Sequence, residues 1–200
     1  MPVLTHYICV PRYGFNVTSE ETEPGFGPNV IATLPSDTNP NTFVVVGAHF
    51  DSRGRDRAST TEVAPGANDD GSGVAMQLEL AKAIHSWDQE FEYGLIIASF
   101  VGEEQGLIGS GVLATKMKAE GKEVLAMFAA DMIAYHKPGN NLQVGLATQS
   151  VSPILNDLFT DVAKDYTPEM EVCTTTGTRF VCCYHIPAAA LPPQLFLAPL

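Results

Sequence analysis

Side chains that can bind metals come directly after three apolar segments of strand length. They are His49 and Asp51 after residues 43–46, Glu103 and Glu104 after residues 95–101, and Asp131 after residues 124–130. In an open α/β sheet, ligands bind beyond the carboxyl ends of the strands, at one edge of the sheet. The sequence therefore predicts that these side chains meet in a single site.

A fourth segment adds two more carboxylates to this set. Residues 65–73 (PGANDDGSG) form a glycine-bracketed turn that contains Asp69 and Asp70. Imidazole nitrogen and carboxylate oxygen are the ligands that zinc takes in catalytic sites, and crowded carboxylates repel one another unless a cation neutralises them. An isolated acidic pair before a helix is more often a cap. Because the acidic turn coincides with three strand ends, the pattern favours a zinc centre.

Neighbouring residues suggest a division of roles within this centre. Asp51, two residues after His49, is suited to accept the second ring N–H and so to fix the tautomer of the imidazole. Glu103 and Glu104 are adjacent, so their side chains leave the backbone in different directions. One of them can hold a metal while the other transfers a proton, as metal-assisted amide hydrolysis requires.

The elements that must position these residues follow from apolar periodicity and turn signals. The predicted strands cover residues 29–36, 42–49, 93–101, 124–130 and 142–147, and the predicted helices cover 72–87, 106–119 and 153–164. The first two strands, joined by the turn-rich residues 37–41, are predicted to form a hairpin. Apolar strands that alternate with helices indicate an α/β fold with a mixed, mostly parallel central sheet and helices on both faces.

Composition limits the classes of partner. The 200 residues are 45% hydrophobic and predict one catalytic domain over residues 1–200, with an atypical or truncated part from about residue 180. A formal charge of −12 argues against nucleic acid and anionic membrane surfaces as partners. There is no run of about 18 apolar residues that would span a bilayer, and the first residues lack a signal-peptide pattern.

Four segments together resemble a known enzyme family. Residues 47–52 (GAHFDS), 65–73 (PGANDDGSG), 102–106 (GEEQG) and 131–132 (DM) look like the motifs of the bacterial leucyl aminopeptidase and aminopeptidase Y family of two-zinc exopeptidases, metallopeptidase family twenty-eight. The match covers roughly residues 29–147, with the segments in the same order. The resemblance implies a zinc exopeptidase fold and a zinc-dependent aminopeptidase that acts on peptides with a free N-terminus.

The resemblance also implies a role for each residue of the site. His49 and Asp131 would be terminal ligands of different or shared zinc ions, Asp69 the carboxylate that bridges two zinc ions, and Glu104 the ligand opposite. Glu103 would be the general base that deprotonates the attacking water and passes the proton to the leaving amine. The peptide bond that follows the bridging aspartate is typically cis in the family, which predicts a cis bond between Asp69 and Asp70.

The C-terminal part departs from the family pattern. Relatives supply a fifth ligand from a Ser-Asp-His segment, whereas here residues 182–189 (CCYHIPAA) compress that segment against an Ile-Pro-Ala strand. His185 is either the ligand displaced by one position or a residue of the strand, and we favour a missing ligand, which would weaken the second zinc site. Related exopeptidases, glutaminyl cyclases and a catalytically silent domain are therefore alternatives.

By resemblance we expect a secreted or extracytoplasmic protein, and the triplet Asn16-Val17-Thr18 fits an N-glycosylation site.

Overall fold

The computed structural model describes residues 13–54, 63–87, 90–136, 138–149 and 151–175. Strands and helices alternate along most of this part of the chain. The elements are β1 (Asn16–Glu20), β2 (Asn29–Leu34), β3 (Asn39–His49), α1 (Gly71–Ser86), β4 (Tyr93–Phe100), α2 (Ile108–Ala119), β5 (Glu123–Ala129), β6 (Gln143–Ala147), α3 (Pro153–Tyr166) and β7 (Glu171–Thr175). Five strands form one sheet in the order β1-β2-β4-β3-β5, and β6 pairs with β7 in a second, parallel sheet.

The strands that lead into the predicted site are parallel neighbours. β3 lies between β4 and β5 and pairs parallel with both, so the carboxyl ends of all three strands meet at one edge. The β1–β2 and β2–β4 pairs are antiparallel, which makes the sheet mixed. The predicted α/β fold with a mixed sheet is confirmed.

The predicted hairpin of residues 29–36 and 42–49 is wrong. Both strands form, but β4 lies between β2 and β3 and is hydrogen-bonded to each of them. The turn signal at residues 37–41 indicates a change of direction and does not determine which strand becomes the neighbour. β4, nearly continuous in apolar residues, occupies the centre of the sheet, where both of its faces are covered.

The other predicted elements are found within three residues of their expected bounds; the largest difference is the start of β3, expected at residue 42 and found at Asn39. The sequence prediction missed β1 and β7. β1 is mostly exposed and therefore lacks the apolar run that identified the other strands. No helix in the described ranges is long and apolar enough to span a bilayer.

Helices pack on both faces of the five-stranded sheet, as predicted. Because successive strand residues point to opposite faces, β4 contributes to two separate clusters. Ile96, Ala98 and Phe100 pack in the cluster that contains Leu113 and Met117 of α2. Ile97 packs in the cluster that contains Ala81 and Ile84 of α1. The buried sheet between these helices is the scaffold on which the strand ends are fixed.

One buried side chain fixes the connection between β4 and α2. Asn29, fully buried, accepts a hydrogen bond from the backbone N–H of Val101 (3.2 Å) and donates to the carbonyl of Gly109 (2.9 Å) and to Glu20 Oε2 (3.1 Å). The other carboxylate oxygen of Glu20 pairs with Lys116 Nζ at 2.9 Å. Asn29 therefore holds both ends of the segment 101–109, which carries Glu103 and Glu104.

We expect Asn29→Ala to lower the free energy of unfolding by about 2–4 kcal/mol, because it leaves a buried N–H and two buried acceptors without their partner. Urea denaturation followed by circular dichroism measures this change. Asn41→Ala, at an exposed position of β3, is the matched control and should change stability by less than about 0.5 kcal/mol. Equal effects of the two substitutions would contradict the role given to Asn29.

Candidate metal centre

The imidazole of His49 is the centre of the site. It lies at the carboxyl end of β3 and is 4% exposed. Its Nε2 atom lies 3.1 Å from Asp69 Oδ1, 3.9 Å from Asp131 Oδ1 and 4.0 Å from Glu103 Oε2. The three carboxylates come from the turn before α1, from the end of β5 and from the end of β4. The structure thus brings four of the predicted site residues together at one sheet edge.

Asp51 connects this imidazole to the loop after β4. His49 Nδ1 lies 3.0 Å from the Asp51 carbonyl oxygen and 3.5 Å from its Oδ1, so the backbone carbonyl is the closer acceptor. The Asp51 carboxylate accepts the backbone N–H of Glu103 at Oδ1 and of Glu104 at Oδ2, both at 3.1 Å. Burial tends to raise the pKa of Asp51, but these hydrogen bonds and the His49 contact lower it. The sequence predicted the position beside the imidazole and missed the backbone contacts.

Asp69 and Asp70 are adjacent in the chain but make different contacts. The peptide bond between them is cis, as the resemblance implied. Asp70, 1% exposed, accepts the N–H of His49 at Oδ2 (3.1 Å) and caps α1 by accepting the N–H of Gly73 at Oδ1 (2.9 Å). One ligand atom each from His49, Asp70 and Asp131 lie within 4.8 Å of one another. Backbone N–H groups engage both Asp70 oxygens, whereas Asp69 Oδ1 lies 3.1 Å from His49 Nε2, so both aspartates border the same site.

Glu104 has a different partner. Its carboxylate, 7% exposed, forms an ion pair through Oε2 with Nε of Arg53. Within the described ranges, the carboxylates of Asp69, Glu103 and Asp131 lie within 4.0 Å of His49 Nε2. The carboxylate of Glu104 is not one of this group. Sequence reasoning missed Arg53, although a basic residue two positions after Asp51 at an acidic edge was an available signal.

The residues around His49 fit a zinc ion. Among the described residues, buried His49 Nε2 and Asp131 Oδ1 have no hydrogen-bond partner. Such atoms are costly to bury unless a ligand satisfies them. Two ligand atoms on a tetrahedral zinc lie about 3.3 Å apart, and His49 Nε2 lies 3.1 Å from Asp69 Oδ1 and 3.9 Å from Asp131 Oδ1. The described side chains that could hold zinc are therefore those of His49 and Asp131 together with Asp69 or Asp70.

The crowding of carboxylates changes the proton affinity of the site. Burial lowers the pKa of His49, but Asp51 and the charges of Glu103, Asp70 and Asp131 raise it to about 9. Burial, followed by the charge of Asp70, raises the pKa of Asp131 to about 7. The site therefore attracts positive charge, which either protons or a metal ion can supply.

Comparison with known proteins identifies the family of this chain. The sequence matches the model of peptidase family M28 over residues 29–185. The chain belongs to this family. A probable leucine aminopeptidase of Trichophyton verrucosum is 37% identical over 148 residues, which cover 69% of this chain and 37% of that protein. A probable zinc metalloprotease of Pyricularia oryzae is 36% identical, with 63% of this chain and 25% of that protein covered.

Solved structures show the same fold. The Legionella pneumophila LapA aminopeptidase superposes with a TM-score of 0.71 at 23% identity, covering 89% of this chain and 46% of that one. A glutaminyl cyclase of an Acidobacteriales bacterium gives a TM-score of 0.62 at 22% identity, covering 86% and 61%. This M28 chain spans between a quarter and two fifths of the length of the two curated relatives described above. His185, the residue considered for a fifth ligand, lies outside the described residues.

We expect zinc binding to this M28 chain to release protons and to weaken as the pH falls from 8 to 6. With a pKa of about 9, His49 is already mostly protonated at pH 8, and Asp131, with a pKa of about 7, takes up its proton as the pH falls to 6. Zinc needs the unprotonated forms of both groups, so it must displace more protons at the lower pH. Calorimetric titration with zinc at pH 6.5, in buffers of different ionisation enthalpy, measures the protons released. His136→Ala, an exposed histidine, should leave the result unchanged. Binding without proton release would contradict the proposed ligands.

Proposed function

We propose that this chain is a zinc-dependent aminopeptidase that hydrolyses the N-terminal residue of peptides. The observation that carries the proposal is the buried His49 Nε2 atom, which faces the carboxylates of Asp69, Asp131 and Glu103 within 4.0 Å. Membership of peptidase family M28 supports the reaction class. The relatives named leucine aminopeptidase and zinc metalloprotease support the substrate and the metal.

Two zinc ions are part of the proposal. His49 and Asp131 would hold the first ion, Asp69 would bridge both ions, and Glu104 would hold the second. A zinc ion bound there would supply Lewis acidity, which makes water acidic near neutral pH and polarises a carbonyl oxygen. Among the described residues, the carboxylates within 4.0 Å of His49 Nε2 are those of Asp69, Glu103 and Asp131, so Glu104 would serve a position other than the one at that atom.

Glu103 is suited to be the general base. Its Oε2 lies 4.0 Å from His49 Nε2, next to the ligands, and its backbone N–H is held by Asp51. Burial and the nearby carboxylates raise the pKa of Glu103, which brings it closer to the range where a carboxylate both accepts and returns a proton. In this role Glu103 takes a proton from the attacking water and delivers it to the amine that leaves.

A mostly apolar pocket adjoins the base. Its lining includes the charged or ionisable side chains of Glu103, His49 and Asp131 and apolar side chains such as those of Leu107 and Met127. Apolar walls restrict bulk water near the reacting groups, which strengthens the electrostatic interactions made there. The pocket therefore supports a site in which water enters as a reactant at a defined position.

The alternatives have weaker support. The likeness to a glutaminyl cyclase is at 22% identity and concerns the fold alone. A catalytically silent domain would follow if the second metal position lacked a necessary ligand. Measured turnover separates these cases, because a silent domain binds zinc without hydrolysing peptides, whereas a cyclase converts N-terminal glutamine and does not release it.

We expect Glu103→Gln to reduce kcat on leucyl p-nitroanilide by about 10²–10⁴-fold, because the amide cannot accept the proton. Zinc content, measured by mass spectrometry of the metal, should stay the same, since Glu103 is not assigned as a ligand. Glu79→Gln makes the same chemical change at an exposed position of α1 and should keep full activity. Activity retained in Glu103→Gln, or no turnover by a wild-type chain that holds two zinc ions, would refute the proposal.

We also propose that the protein works outside the cytoplasm. Asn16, the first residue of the triplet that fits N-glycosylation, is exposed in β1. We expect the native protein in the extracellular fraction with a glycan on Asn16, which peptide mass spectrometry after glycosidase treatment detects. Recovery of an unmodified protein from the cell interior alone would contradict this proposal.

A further inference from the structure

Arg53 contributes a positive charge beside the carboxylates of the site. Its Nε pairs with Glu104 Oε2, and the two side chains differ in exposure, with 37% for Arg53 and 7% for Glu104. The Glu104 carboxylate is therefore almost completely buried, while the Arg53 guanidinium is still in contact with water. A nearly buried carboxylate requires a positive partner, and the chain itself provides one.

The backbone holds this ion pair in place. The Asp51 carboxylate accepts the N–H groups of Glu103 and Glu104. These bonds join the segment after β3 to the segment after β4, and Arg53 follows Asp51 by two residues. An exposed ion pair on free loops contributes little, because ordering two long side chains offsets the attraction. Here the backbone contacts supply that order, and the pair is a fixed part of the site.

We propose that Arg53 is a competing cation for the second metal position: it holds the Glu104 carboxylate, and a zinc ion binds there by displacing it. This inference rests on the two-metal site proposed above. The guanidinium of arginine is a planar cation with several N–H donors, which makes it a strong partner for a carboxylate. Its exposed guanidinium can move into water when a divalent ion takes the carboxylate.

The two metal positions are then unequal. At His49, the unpartnered Nε2 and Asp131 Oδ1 atoms face the position that the metal would take. At Glu104, a carboxylate oxygen already accepts a charged N–H donor that must be removed first. We expect the position at His49 to fill at a lower zinc concentration than the position at Glu104.

The test uses the 200-residue chain and zinc alone, titrated in chelator-buffered solutions with the bound metal counted per chain. We expect Arg53→Gln to tighten the second zinc by about tenfold or more, the range typical for groups that contact a metal ligand. The first zinc should keep its affinity within about twofold, because the ion pair of Arg53 in the described part of the chain is with Glu104 and not with His49. The metal-free variant should unfold at a lower urea concentration than the wild-type chain, because Glu104 loses its charged partner.

Three further variants separate competition from general effects of charge. Lys82→Gln removes one positive charge from an exposed pair with Glu79 on α1 and should change neither affinity. Arg53→Lys keeps the charge without the planar guanidinium and should lie between wild type and Arg53→Gln. Glu104→Gln removes the proposed ligand of the second zinc ion. In that background, Arg53→Gln should have no further effect on zinc affinity.

The outcomes that overturn the inference are distinct from those that decide whether the chain hydrolyses peptides, although binding of a single zinc also overturns the two-zinc part of the proposed function. A second zinc that weakens in Arg53→Gln would show that Arg53 orients Glu104 as a ligand, and an unchanged second zinc would show that it does not compete. If both chains bind a single zinc, there is no second ion to compete with, and the inference fails. Peptide turnover by the wild-type chain is measured separately and decides the aminopeptidase proposal.

Discussion

Negative charge concentrated at the carboxyl ends of three parallel strands is the constraint on which the rest of this structure depends. β3, β4 and β5 must be neighbours for the site to form, and their pairing gathers six carboxylates at the sheet edge that carries His49. They belong to Asp51, Asp69, Asp70, Glu103, Glu104 and Asp131. Such a group separates by repulsion unless each charge has a partner. The arrangement of partners therefore explains which residues are structural and which do chemistry.

Three of the six carboxylates have partners supplied by the chain. Asp51 accepts two N–H groups of the loop after β4, and Asp70 accepts one N–H from β3 and one from α1. Glu104 has the guanidinium of Arg53. These contacts join the turn before α1, the end of β3 and the loop after β4 to one another. What is left facing His49 Nε2 is the set formed by Asp69, Asp131 and Glu103, which is the set we assign to the metal and the proton transfer.

Apolar periodicity and turn signals predicted the features of the fold that are encoded within single segments of the chain, namely most of the strands and helices. Apolar runs located the central strands, and an acidic pair before a helix is typical of a cap, which is the position of Asp70 at the start of α1. The sequence did not predict which strands become neighbours. Both β2 and β3 have many buried residues, and their pairing with β4 depends on how the sheet packs on α1 and α2. Polar residues buried in the interior were also missed. Asn29 and Gln77 stand in apolar surroundings, and only the fold shows that they satisfy buried backbone groups of β3, β4 and the loop after β4.

The same reasoning explains why the site could be predicted better at His49 than at Glu104. All groups around His49 Nε2 follow directly from strand ends or from the turn before α1, so their meeting is a consequence of parallel pairing. The environment of Glu104 depends on how the segment after Asp51 returns toward the loop after β4, and no periodic pattern encodes such a return. A position that rests on strand ends is fixed by the whole sheet, whereas one that rests on a loop contact can be adjusted by a single residue. Arg53 is that residue, and the second metal position is therefore the adjustable half of the site.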